Sequence, residues 1–545
     1  MQKKTKYIII TGGVISGLGK GIVATSIAAI LPKGKKVIPI KCDGYLNVDP
    51  GTMNPIEHGE VFVLEDGGEV DMDFGHYERF INIDCKIAWN LTSGKIYSSI
   101  LERERRGEYL GQTVQLIPHG TNEIKDRFKK IVKEEKPDIV LIEIGGTVGD
   151  IENELYIEAV RQLKRDVGEN NILFVHLTLV PKLSVVGEQK TKPTQQSVKL
   201  LEARGIAPDI IIGRAQDMLE EKIISKISLF TGIEKEAVVS SPDLEIVYEL
   251  PILFKKQNLH KVIAKKLRLR EFDTKINGWE RLISRMRNPK QEINIALCGK
   301  YTDLHDSYAS IIESLKHAGA KNLCKVNISQ IETTDIEKGK STMKSIMKDT
   351  DAVIVPGGFG SRGIEGKIKV IRYCRENNIP LLGLCYGFQL TCIEFARNVC
   401  MLKDANTTEA DTNTSHPVIH ILEEQKNIKD KGATMRLGSW PAILKKGTKT
   451  YNLYKKENIS ERHRHRYEVN QKYIKILESN GLRFSGKSPD GTLMEFLEII
   501  NHPFLLGTQG HPELKSRPMK PHPLFDGLVK ASIRYKNTRT RKTPK

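Results

Sequence analysis

Short apolar, β-branched runs alternate along this chain with stretches of helical periodicity, and this alternation restricts the fold more than any other feature. In the first half, strands are predicted at Tyr7–Thr11, Lys36–Lys41, Asp138–Ile144, Ile172–Leu179 and Asp209–Ile212. Helices are predicted between them, for example at Gly21–Leu31, Ile151–Arg165 and Thr194–Ala203. Strands that alternate with helices in this way form parallel sheets covered by helices. The sequence therefore predicts the α/β class.

The alternation is interrupted once, near the middle of the chain. Residues 267–291 are highly charged and contain Pro289, which is typical of a linker that carries a short helix. Further strands are then predicted at Ile293–Cys298, Ala352–Val355, Pro380–Leu384 and Leu505–Thr508. We therefore predict a first domain at residues 1–267, a linker at 268–291, a second domain at 292–535 and a basic tail at 536–545.

The 545-residue chain carries a formal net charge of +18, which has two interpretations. One is nucleic-acid binding, because clustered Lys and Arg side chains neutralise phosphates. The other is a lysine-rich surface with sites for nucleoside triphosphates. The positive charge is spread along the chain and is densest at residues 534–545, where a solvated tail is expected. We therefore disfavour nucleic acid as a partner.

Composition also bears on the compartment. No apolar run reaches the roughly 20 residues that cross a bilayer, and the apolar stretch after the basic N-terminus is too short for a signal peptide. The eight cysteines are scattered without a CxxC pair, which predicts neither a disulfide framework nor a zinc site. We expect a cytoplasmic protein with no membrane partner.

A glycine-rich turn joins the first predicted strand to the first predicted helix. The segment TGGVISGLGKG, residues 11–21, would present backbone N–H groups and the positive end of a helix dipole to an anion. Lys20 would add a charge for the β- and γ-phosphates. The Walker A spacing fails, because five residues separate Gly13 from Gly19 and Gly21 stands where Ser or Thr is expected. A plain glycine turn is the alternative, but the density of glycines beside Lys20 favours a phosphate loop.

An ATP site needs Mg²⁺, which prefers one or two carboxylates together with phosphate oxygens. Asp73 and Glu143 are the candidates, and Glu143 closes an apolar strand just before a glycine pair. Ligands of open α/β sheets gather at such strand ends, although each carboxylate taken singly could be a solvated surface group. The basic loop 190–195, which opens a helix with Pro193 near its start, is a second candidate anion site.

A second strand-to-helix turn carries a cysteine. Cys385 follows the strand Pro380–Leu384, lies between Gly383 and Gly387, and precedes a predicted helix at Phe388–Ala396. A tight turn of this kind exposes a nucleophile, and the helix N-terminus stabilises a thiolate. An isolated buried cysteine is usually inert, so the turn alone leaves its role open.

A thiolate nucleophile needs a base and a group that orients the base. His511 and Glu513 follow the last predicted strand, and the order Cys, His, Glu is that of a class I glutamine amidotransferase. The glycine pair after the strand Ala352–Val355 could supply backbone donors for an oxyanion, and Gly358 is the favoured donor.

The chain is similar to CTP synthases over about residues 5–535. The similarity rests on the collinear blocks TGGVISGLGKG, NVDPGTMNP, HGEVFV, GHYERF, ERRGEYLGQTVQLIPH, EIGGTVGDIE, GEQKTKPTQ, VPGGFGSRG, ERHRHRYEVN and NHPFLLGTQGHPE. It implies an N-terminal P-loop domain, dethiobiotin-synthetase-like with a parallel sheet, and a C-terminal flavodoxin-like class I glutamine amidotransferase domain. It further implies a ligase that aminates UTP to CTP with ATP, Mg²⁺ and L-glutamine, as a homotetramer, with GTP as allosteric activator and CTP as feedback inhibitor.

The resemblance assigns roles to individual residues. For ATP these are Ser16, Gly17, Leu18, Gly19, Lys20, Gly21, Ile22, Lys41, Asp73, Pro242, Asp243 and Leu244. For UTP and CTP they are Ser16, Asp150, Ile151, Glu152, Lys190, Thr191, Lys192, Pro193, Thr194, Gln195 and Lys226. For glutamine, around Cys385, they are Gly358, Tyr386, Gly387, Phe388, Gln389, Glu409 and Arg466. Asp73 and Glu143 would hold Mg²⁺.

The resemblance also places a lid for GTP at residues 357–363 and an ammonia passage near Pro55, His58 and Val61. Several residues depart from the family pattern: Tyr386 and Phe388 beside the nucleophile, Gly510 before the histidine, Gly44 after Asp43, and Lys182 after Pro181.

Three alternatives remain. Another ATP-dependent amidating enzyme, such as one that acts on cobyrinic acid, would share the phosphate loop and the cysteine turn, but the KTKPTQ and ERHRHRYEVN blocks argue against it. A catalytically weakened assembly or filament protein would not need Cys385, His511 and Glu513 intact. A nucleic-acid binder is third.

Overall fold

The computed structural model describes residues 4–53, 59–183, 187–274, 276–300, 305–421, 425 and 434–542. The chain separates into two compact units. The first unit contains Met1–Asp49 and His76–Ile283, and the second contains Pro50–Gly75 and Ser284–Lys545.

Strands and helices alternate through most of both units. Up to residue 283 the strands are β1 (Lys6–Gly12), β2 (Val37–Asp43), β3 (Phe62–Val63), β4 (Glu69–Val70), β5 (Asn90–Thr92), β6 (Ile139–Ile144), β7 (Ile172–Leu179), β8 (Lys182–Leu183), β9 (Glu188–Gln189), β10 (Ile210–Ala215) and β11 (Val238–Pro242). After it they are β12 (Gln291–Gly299), β13 (Cys324–Glu332), β14 (Ala352–Val355), β15 (Leu381–Leu384), β16 (Ala405–Thr407), β17 (His416–Ile421), β18 (Arg436–Leu444), β19 (Asn458–His465), β20 (Tyr467–Val469), β21 (Leu482–Lys487), β22 (Met494–Ile499) and β23 (Leu505–Thr508).

The helices follow the same alternation. In the first half they are α1 (Lys20–Ala29), α2 (Asp73–Ile81), α3 (Ser93–Arg105), α4 (Thr121–Glu135), α5 (Glu154–Val167), α6 (Lys192–Glu202), α7 (Glu221–Thr231), α8 (Leu250–Lys256), α9 (Leu259–Lys266) and α10 (Asn277–Arg287). In the second half they are α11 (Ala309–Lys321), α12 (Thr333–Glu337), α13 (Met343–Met347), α14 (Ile364–Glu376), α15 (Tyr386–Asn398), α16 (Lys449–Tyr454), α17 (Gln471–Ser479) and α18 (Pro523–Lys542). Among the described residues, no helix is both long and apolar enough to cross a membrane.

The first unit is built on a seven-stranded sheet with the order β11-β10-β7-β1-β6-β2-β5. Every pairing in it is parallel, as expected for strands that read as continuous apolar runs. Ile8, Ile9 and Ile10 of the central strand β1 are completely buried. The carboxyl ends of β1, β6 and β7 lie side by side, and ligands of open sheets bind at such an edge.

The second unit contains a nine-stranded sheet with the order β13-β12-β14-β15-β23-β22-β21-β18-β19. The first five strands are parallel, and their order, second-first-third-fourth-fifth in the chain, is that of flavodoxin-like folds. The other four continue the sheet in antiparallel fashion. The predicted α/β class with parallel sheets is confirmed, and the strands predicted at 172–179, 352–355 and 505–508 have the predicted bounds.

Residues 50–75 pack with the second unit, although they lie within the sequence predicted as the first domain. The guanidinium of Arg462, which is completely buried, binds Glu65 at 2.9 Å, and that of Arg464 binds Glu69 at 2.7 Å. Sequence reasoning missed this packing because the partners of the second pair are 395 residues apart. The predicted domain boundaries stay predictions.

The C-terminal segment differs from the solvated tail that we expected. Helix α18 continues through Lys542, and Lys536 donates to the carbonyl oxygen of Glu292 at 2.7 Å. The guanidinium of Arg539 lies 3.0 Å from the Asp351 carboxylate. These contacts dock the start of the basic segment against the second unit.

Candidate functional site

The phosphate loop of the first unit, residues 13–19, joins β1 to α1 at the carboxyl edge of the sheet. Gly17 and Gly19 have φ angles of 74° and 86°, a region that favours glycine. Val14 also has a positive φ, of 79°. Ser16 and Gly17 are exposed, whereas Leu18 is buried. Lys20, Gly21 and Ile22 form the first turn of α1. The loop therefore offers an exposed turn and a helix N-terminus to an anion.

Lys20 reaches across this loop to the neighbouring strand end. Its Nζ donates to the carbonyl oxygen of Gly146, which follows β6, at 2.6 Å. A Cβ on Gly12 would lie 2.9 Å from this Nζ, so the glycine allows the lysine to fold over the backbone. The ammonium group is thus held at the junction of β1 and β6.

A buried ion pair lies beside the loop. Lys41 Nζ is 3.1 Å from Glu143 Oε1, and the hydroxyl of Tyr77 donates to Glu143 Oε2 at 2.5 Å. Asp43 Oδ1 is 3.7 Å from the same ammonium. Sequence reasoning missed Tyr77 and Asp43, and the GHYERF block is the signal that could have indicated Tyr77.

Two carboxylates were predicted to hold a magnesium ion, those of Asp73 and Glu143. Glu143 is only 1% exposed and closes a strand, so its carboxylate suits a hard cation shared with phosphate oxygens. Asp73 begins α2 and is half-buried. It belongs to the segment that is assigned to the second unit. Within the described part of the chain, no cluster of three or more His, Cys, Asp or Glu side chains could hold a metal without such oxygens.

The predicted pyrimidine-nucleotide residues occupy three loops and two helices of the first unit. Asp150 accepts from the Thr147 backbone N–H at 2.9 Å, and Ile151 and Glu152 are exposed after it. A Cβ on Gly44 would lie 2.9 Å from Glu152 Cβ, which explains why a glycine follows Asp43.

The basic loop begins at Lys190, whose Nζ binds Glu188 Oε2 at 2.6 Å. Helix α6 then begins at Lys192 with Pro193 in its first turn, and Gln195 donates to the Thr191 hydroxyl at 3.0 Å. Lys190 and then the positive charges of Lys222 and Lys226 lower the pKa of Glu188. The loop therefore lies in a positive field, and the exposed Lys226 on α7 contributes to it.

The predicted adenine border follows strand β11. Pro242 is its last residue and is buried, while Asp243 is exposed and Leu244 is half-buried. Arg214 on the neighbouring strand lies 2.6 Å from Asp243 and also donates to the Pro242 carbonyl oxygen at 3.3 Å. This pair ties the ends of β10 and β11 together.

In the second unit, Cys385 occupies a strained turn between β15 and α15. Its φ and ψ are 49° and −98°, and its N–H donates to the Thr508 carbonyl oxygen at 2.8 Å. A Cβ on Gly387 would lie 2.1 Å from the Val355 oxygen, and one on Gly383 would lie 2.8 Å from the Gly387 carbonyl carbon. Only glycine fits at both positions, so the turn has the geometry of a nucleophile elbow.

His511 and Glu513 meet this turn from strand β23. His511 Nδ1 is 2.7 Å from Glu513 Oε1, and its Nε2 is buried. A Cβ on Gly357 would lie 3.0 Å from His511 Cε1 and 3.6 Å from Cys385 Cβ, so ring and thiol flank one point. Burial disfavours the imidazolium, but the charges of Glu513 and Cys385 raise the pKa of His511 to about 10.

The loop at residues 356–360 is held from several sides. Lys300 Nζ donates to the carbonyl oxygen of Phe359, and the Gly360 N–H donates to Glu409 Oε1 at 2.6 Å. The Tyr386 hydroxyl donates to the Gly360 oxygen at 3.1 Å. The Arg464 guanidinium lies 5.2 Å from the centre of the Phe359 ring. These contacts position the loop beside the thiol.

Two buried groups near this loop are charged or titratable. Burial raises the pKa of Glu409. Lys367 is 1% exposed, with its Nζ 5.4 Å from the Tyr386 ring centre, and burial followed by the charge of Lys300 lowers its pKa to about 7. Sequence reasoning missed Lys300 and Lys367, because neither stands in a local pattern that differs from a surface residue. It also missed Arg464, for which the ERHRHRYEVN block is the signal that could have indicated it.

A cavity of about 390 Å³ opens at the thiol. Its lining includes Cys385, His511, Gly358, Arg466 and Val61, together with residues 51–53 of the segment that joins the second unit. Pro55 and His58, predicted to lie near an ammonia passage, fall outside the described residues.

Three other predicted glutamine-binding residues pack in the core or make hydrogen bonds within the protein: Phe388, Gln389 and Arg466. Phe388 is completely buried in the core. The Gln389 side chain donates to the Tyr467 carbonyl oxygen at 2.8 Å, and Arg466 donates to Gln425 Oε1 at 2.6 Å. The Phe388 ring therefore packs in the core of the second unit.

Comparison with known proteins supports one family. The family model described as CTP synthase N-terminus matches residues 6–269, and that described as Glutamine amidotransferase class-I matches residues 303–531. The CTP synthase of Methanocaldococcus jannaschii is 54% identical over 537 residues, which cover 98% of this chain and 99% of that protein. The CTP synthase of Borreliella afzelii is 53% identical over 540 residues, covering 98% of this chain and 100% of that protein.

A solved structure, the Trypanosoma brucei CTPS glutaminase domain with bound acivicin, is 31% identical to this chain. The match covers 44% of this chain and 94% of the solved chain, with a TM-score of 0.41. The curated relatives extend over nearly the whole sequence at more than half identity. The chain therefore belongs to the CTP synthase family.

Proposed function

We propose that this protein aminates UTP to CTP, using ATP to activate the uracil ring and glutamine as the source of nitrogen. The observation that carries the proposal is the meeting of Cys385, His511 and the glycine loop at one cavity, in a chain that also has a phosphate loop. Neither part alone would make the reaction, because a glutaminase releases ammonia without a synthetic step. The similarity over the whole length supports the combination.

The glutaminase step would begin with attack of the Cys385 sulfur on the side-chain amide carbon of glutamine. The Gly358 N–H would bind the oxyanion of the tetrahedral intermediate. His511, held as imidazolium by Glu513, would protonate the departing nitrogen, and water would then hydrolyse the thioester to glutamate. Tyr386, Gln389, Glu409 and Arg466 would position the rest of glutamine.

The synthetic step would use the first unit. Lys20 and Lys41 would bind the phosphates of ATP during transfer of the γ-phosphoryl group to the 4-oxygen of UTP, which turns a poor leaving group into phosphate. Asp73 and Glu143 would hold Mg²⁺ on those phosphates, where the ion would neutralise negative charge. Residues 150–152, 190–195 and Lys226 would bind UTP, and residues 242–244 would border the adenine.

Ammonia would pass from the thiol to the phosphorylated UTP without release into water, where it would become non-nucleophilic ammonium. The position of Val61 in the cavity lining supports a role for Val61 in that passage. We further propose the regulation that the family resemblance implies: GTP as activator at residues 357–363, CTP as inhibitor on the UTP residues, and a homotetramer as the working assembly.

The test is conversion of UTP with ATP and Mg²⁺, with glutamine and ammonium compared as nitrogen sources. We expect CTP with both nitrogen sources. With glutamine, one glutamate should form for each CTP. Lack of UTP consumption, with glutamine still hydrolysed, would contradict the proposal and indicate another amidating enzyme.

A further inference from the structure

Three buried side chains form a continuous hydrogen-bonded chain beneath the phosphate loop. His176, on β7, has its Nδ1 2.8 Å from the Thr11 hydroxyl and its Nε2 2.7 Å from the Ser197 hydroxyl. Thr11 is at the end of β1 and Ser197 is in the second turn of α6. All three residues are at most 2% exposed, so water does not compete for these bonds.

The last member of this chain touches the loop itself. A Cβ on Gly13 would lie 1.6 Å from Ser197 Oγ and 2.9 Å from His176 Nε2. The backbone of the phosphate loop therefore rests directly on the serine hydroxyl, and glycine is the residue that permits this approach. Any movement of α6 along its axis would push or release Gly13.

Helix α6 carries the basic loop at its N-terminus, about one turn before Ser197. Its first turn contains Lys192, Pro193 and Thr194, which belong to the predicted pyrimidine-nucleotide residues. The Thr194 hydroxyl donates to the Leu179 carbonyl oxygen at 3.1 Å. Because Thr194 and Ser197 are three residues apart, they face β7 together and fix the helix to the strand.

The middle member of the chain is kept uncharged. Burial, and next the nearby charge of Lys20, lower the pKa of His176 to about 4. A neutral imidazole donates from one ring nitrogen and accepts at the other, so it suits two hydroxyl partners. It also adds no positive charge that would compete with Lys20 for phosphate.

We propose that Thr11, His176 and Ser197 are positioning residues that couple the phosphate loop to the basic loop, so that ATP and a pyrimidine nucleotide strengthen each other's binding. The inference rests on the proposed function, because it takes these two loops as nucleotide sites. Each nucleotide would favour one arrangement of its own loop, and the buried chain would carry that preference to the other. Such coupling is reciprocal by thermodynamic necessity.

The experiment measures the dissociation constant of UTP by calorimetry, with and without a non-hydrolysable ATP analogue and Mg²⁺. For the unaltered protein we expect the analogue to tighten UTP binding at least about fivefold. Ser197→Ala removes the hydroxyl that contacts Gly13, and the tightening should fall below about twofold, with each nucleotide alone bound within about threefold of its original affinity.

Matched controls separate coupling from a general packing defect. Ser26→Ala removes a buried hydroxyl of α1 that has no hydrogen-bond partner among the described residues, and it should leave the coupling unchanged. Thr11→Val should lose the coupling, because it removes the hydroxyl at the other end, whereas Thr11→Ser should retain it. This pair gives the answer if Ser197→Ala fails to fold.

The outcomes distinguish the two proposals. Full coupling in Ser197→Ala or in Thr11→Val would overturn the inference, and so would independent binding of the two nucleotides by the unaltered protein. An effect on ATP binding alone would also overturn it, because the chain would then be only a local support of the phosphate loop. Failure of the unaltered protein to bind UTP would instead overturn the proposed function.

Discussion

Two strand-to-helix turns, one in each unit, present functional groups in opposite ways. The phosphate loop before Lys20 is exposed at Ser16 and Gly17, and its positive-φ glycines have open space around them. The turn at Cys385 is buried, and its glycines are pressed against Val355 and against each other. A loop that binds an anion through its backbone needs room for the ligand. A turn that holds one thiol at a fixed angle needs tight packing instead.

The two turns also differ in how their charged groups are surrounded. Lys20 places a positively charged side chain beside an open loop. His511 is half-buried, and the charges of Glu513 and Cys385 raise its pKa. The comparison predicts that substitutions at the second turn lower CTP formation from glutamine only. Substitutions at the first turn should lower CTP formation from either nitrogen source.

The largest effect is expected from Lys20→Ala set beside Cys385→Ala. Lys20→Ala should lower CTP formation roughly 1,000-fold with either glutamine or ammonium, because phosphoryl transfer loses its neutralising charge. Cys385→Ala should lower the glutamine-dependent rate by a similar factor and leave the ammonium-dependent rate within about twofold. Steady-state assays with both nitrogen sources check this. A parallel loss of both rates in a folded Cys385→Ala protein would break the separation of the two turns.

Glu513→Gln should lower the glutaminase rate roughly 100-fold, because His511 loses its orienting charge. The raised pKa of His511, about 10, keeps the imidazolium through neutral pH and loses it as pH rises through that value. Without Glu513 the pKa of His511 falls, so the alkaline limb of the glutaminase pH profile should move to lower pH. The ammonium-dependent profile serves as the control, and an unmoved alkaline limb would contradict this account.

The packing difference can be tested with two glycine substitutions. Gly387→Ala places a methyl group against the Val355 oxygen and should destabilise the second unit by about 3 kcal/mol. Gly17→Ala meets no atom within 4 Å but retains a positive φ of 74°, which should cost about 1 kcal/mol. Denaturant unfolding followed separately in the two units measures both. Equal losses would show that the packing around the two turns is not different.

The smallest effect is expected from Tyr386→Phe, which removes one hydrogen bond to the Gly360 oxygen while keeping the ring. The loss of one such bond, about 1 kcal/mol, should lower the glutaminase rate roughly fivefold. Tyr473→Phe, which removes a hydroxyl 3.4 Å from His416 away from the cavity, is the matched control. A glutaminase rate unchanged by Tyr386→Phe would mean that Tyr386 does not position the loop.

Much of the fold could be predicted because the information is local. Apolar runs and helical periodicity located strands β1, β7, β14 and β23, and glycines at strand ends located both turns. The assignment of individual residues to nucleotides and to glutamine stays a prediction. For Phe388, the core burial of its side chain restricts any contact with glutamine to its backbone.

By itself, the sequence determined the alternation that requires parallel sheets, the positions of the phosphate loop and the cysteine turn, and the family. Only the tertiary structure decided that Glu65 and Glu69 bind Arg462 and Arg464, that Tyr77 binds Glu143, and that Thr11, His176 and Ser197 join beneath the loop. The physical reason is that turns and periodicity depend on neighbours along the chain. Buried polar contacts depend on which distant side chains the completed sheet brings within hydrogen-bonding distance.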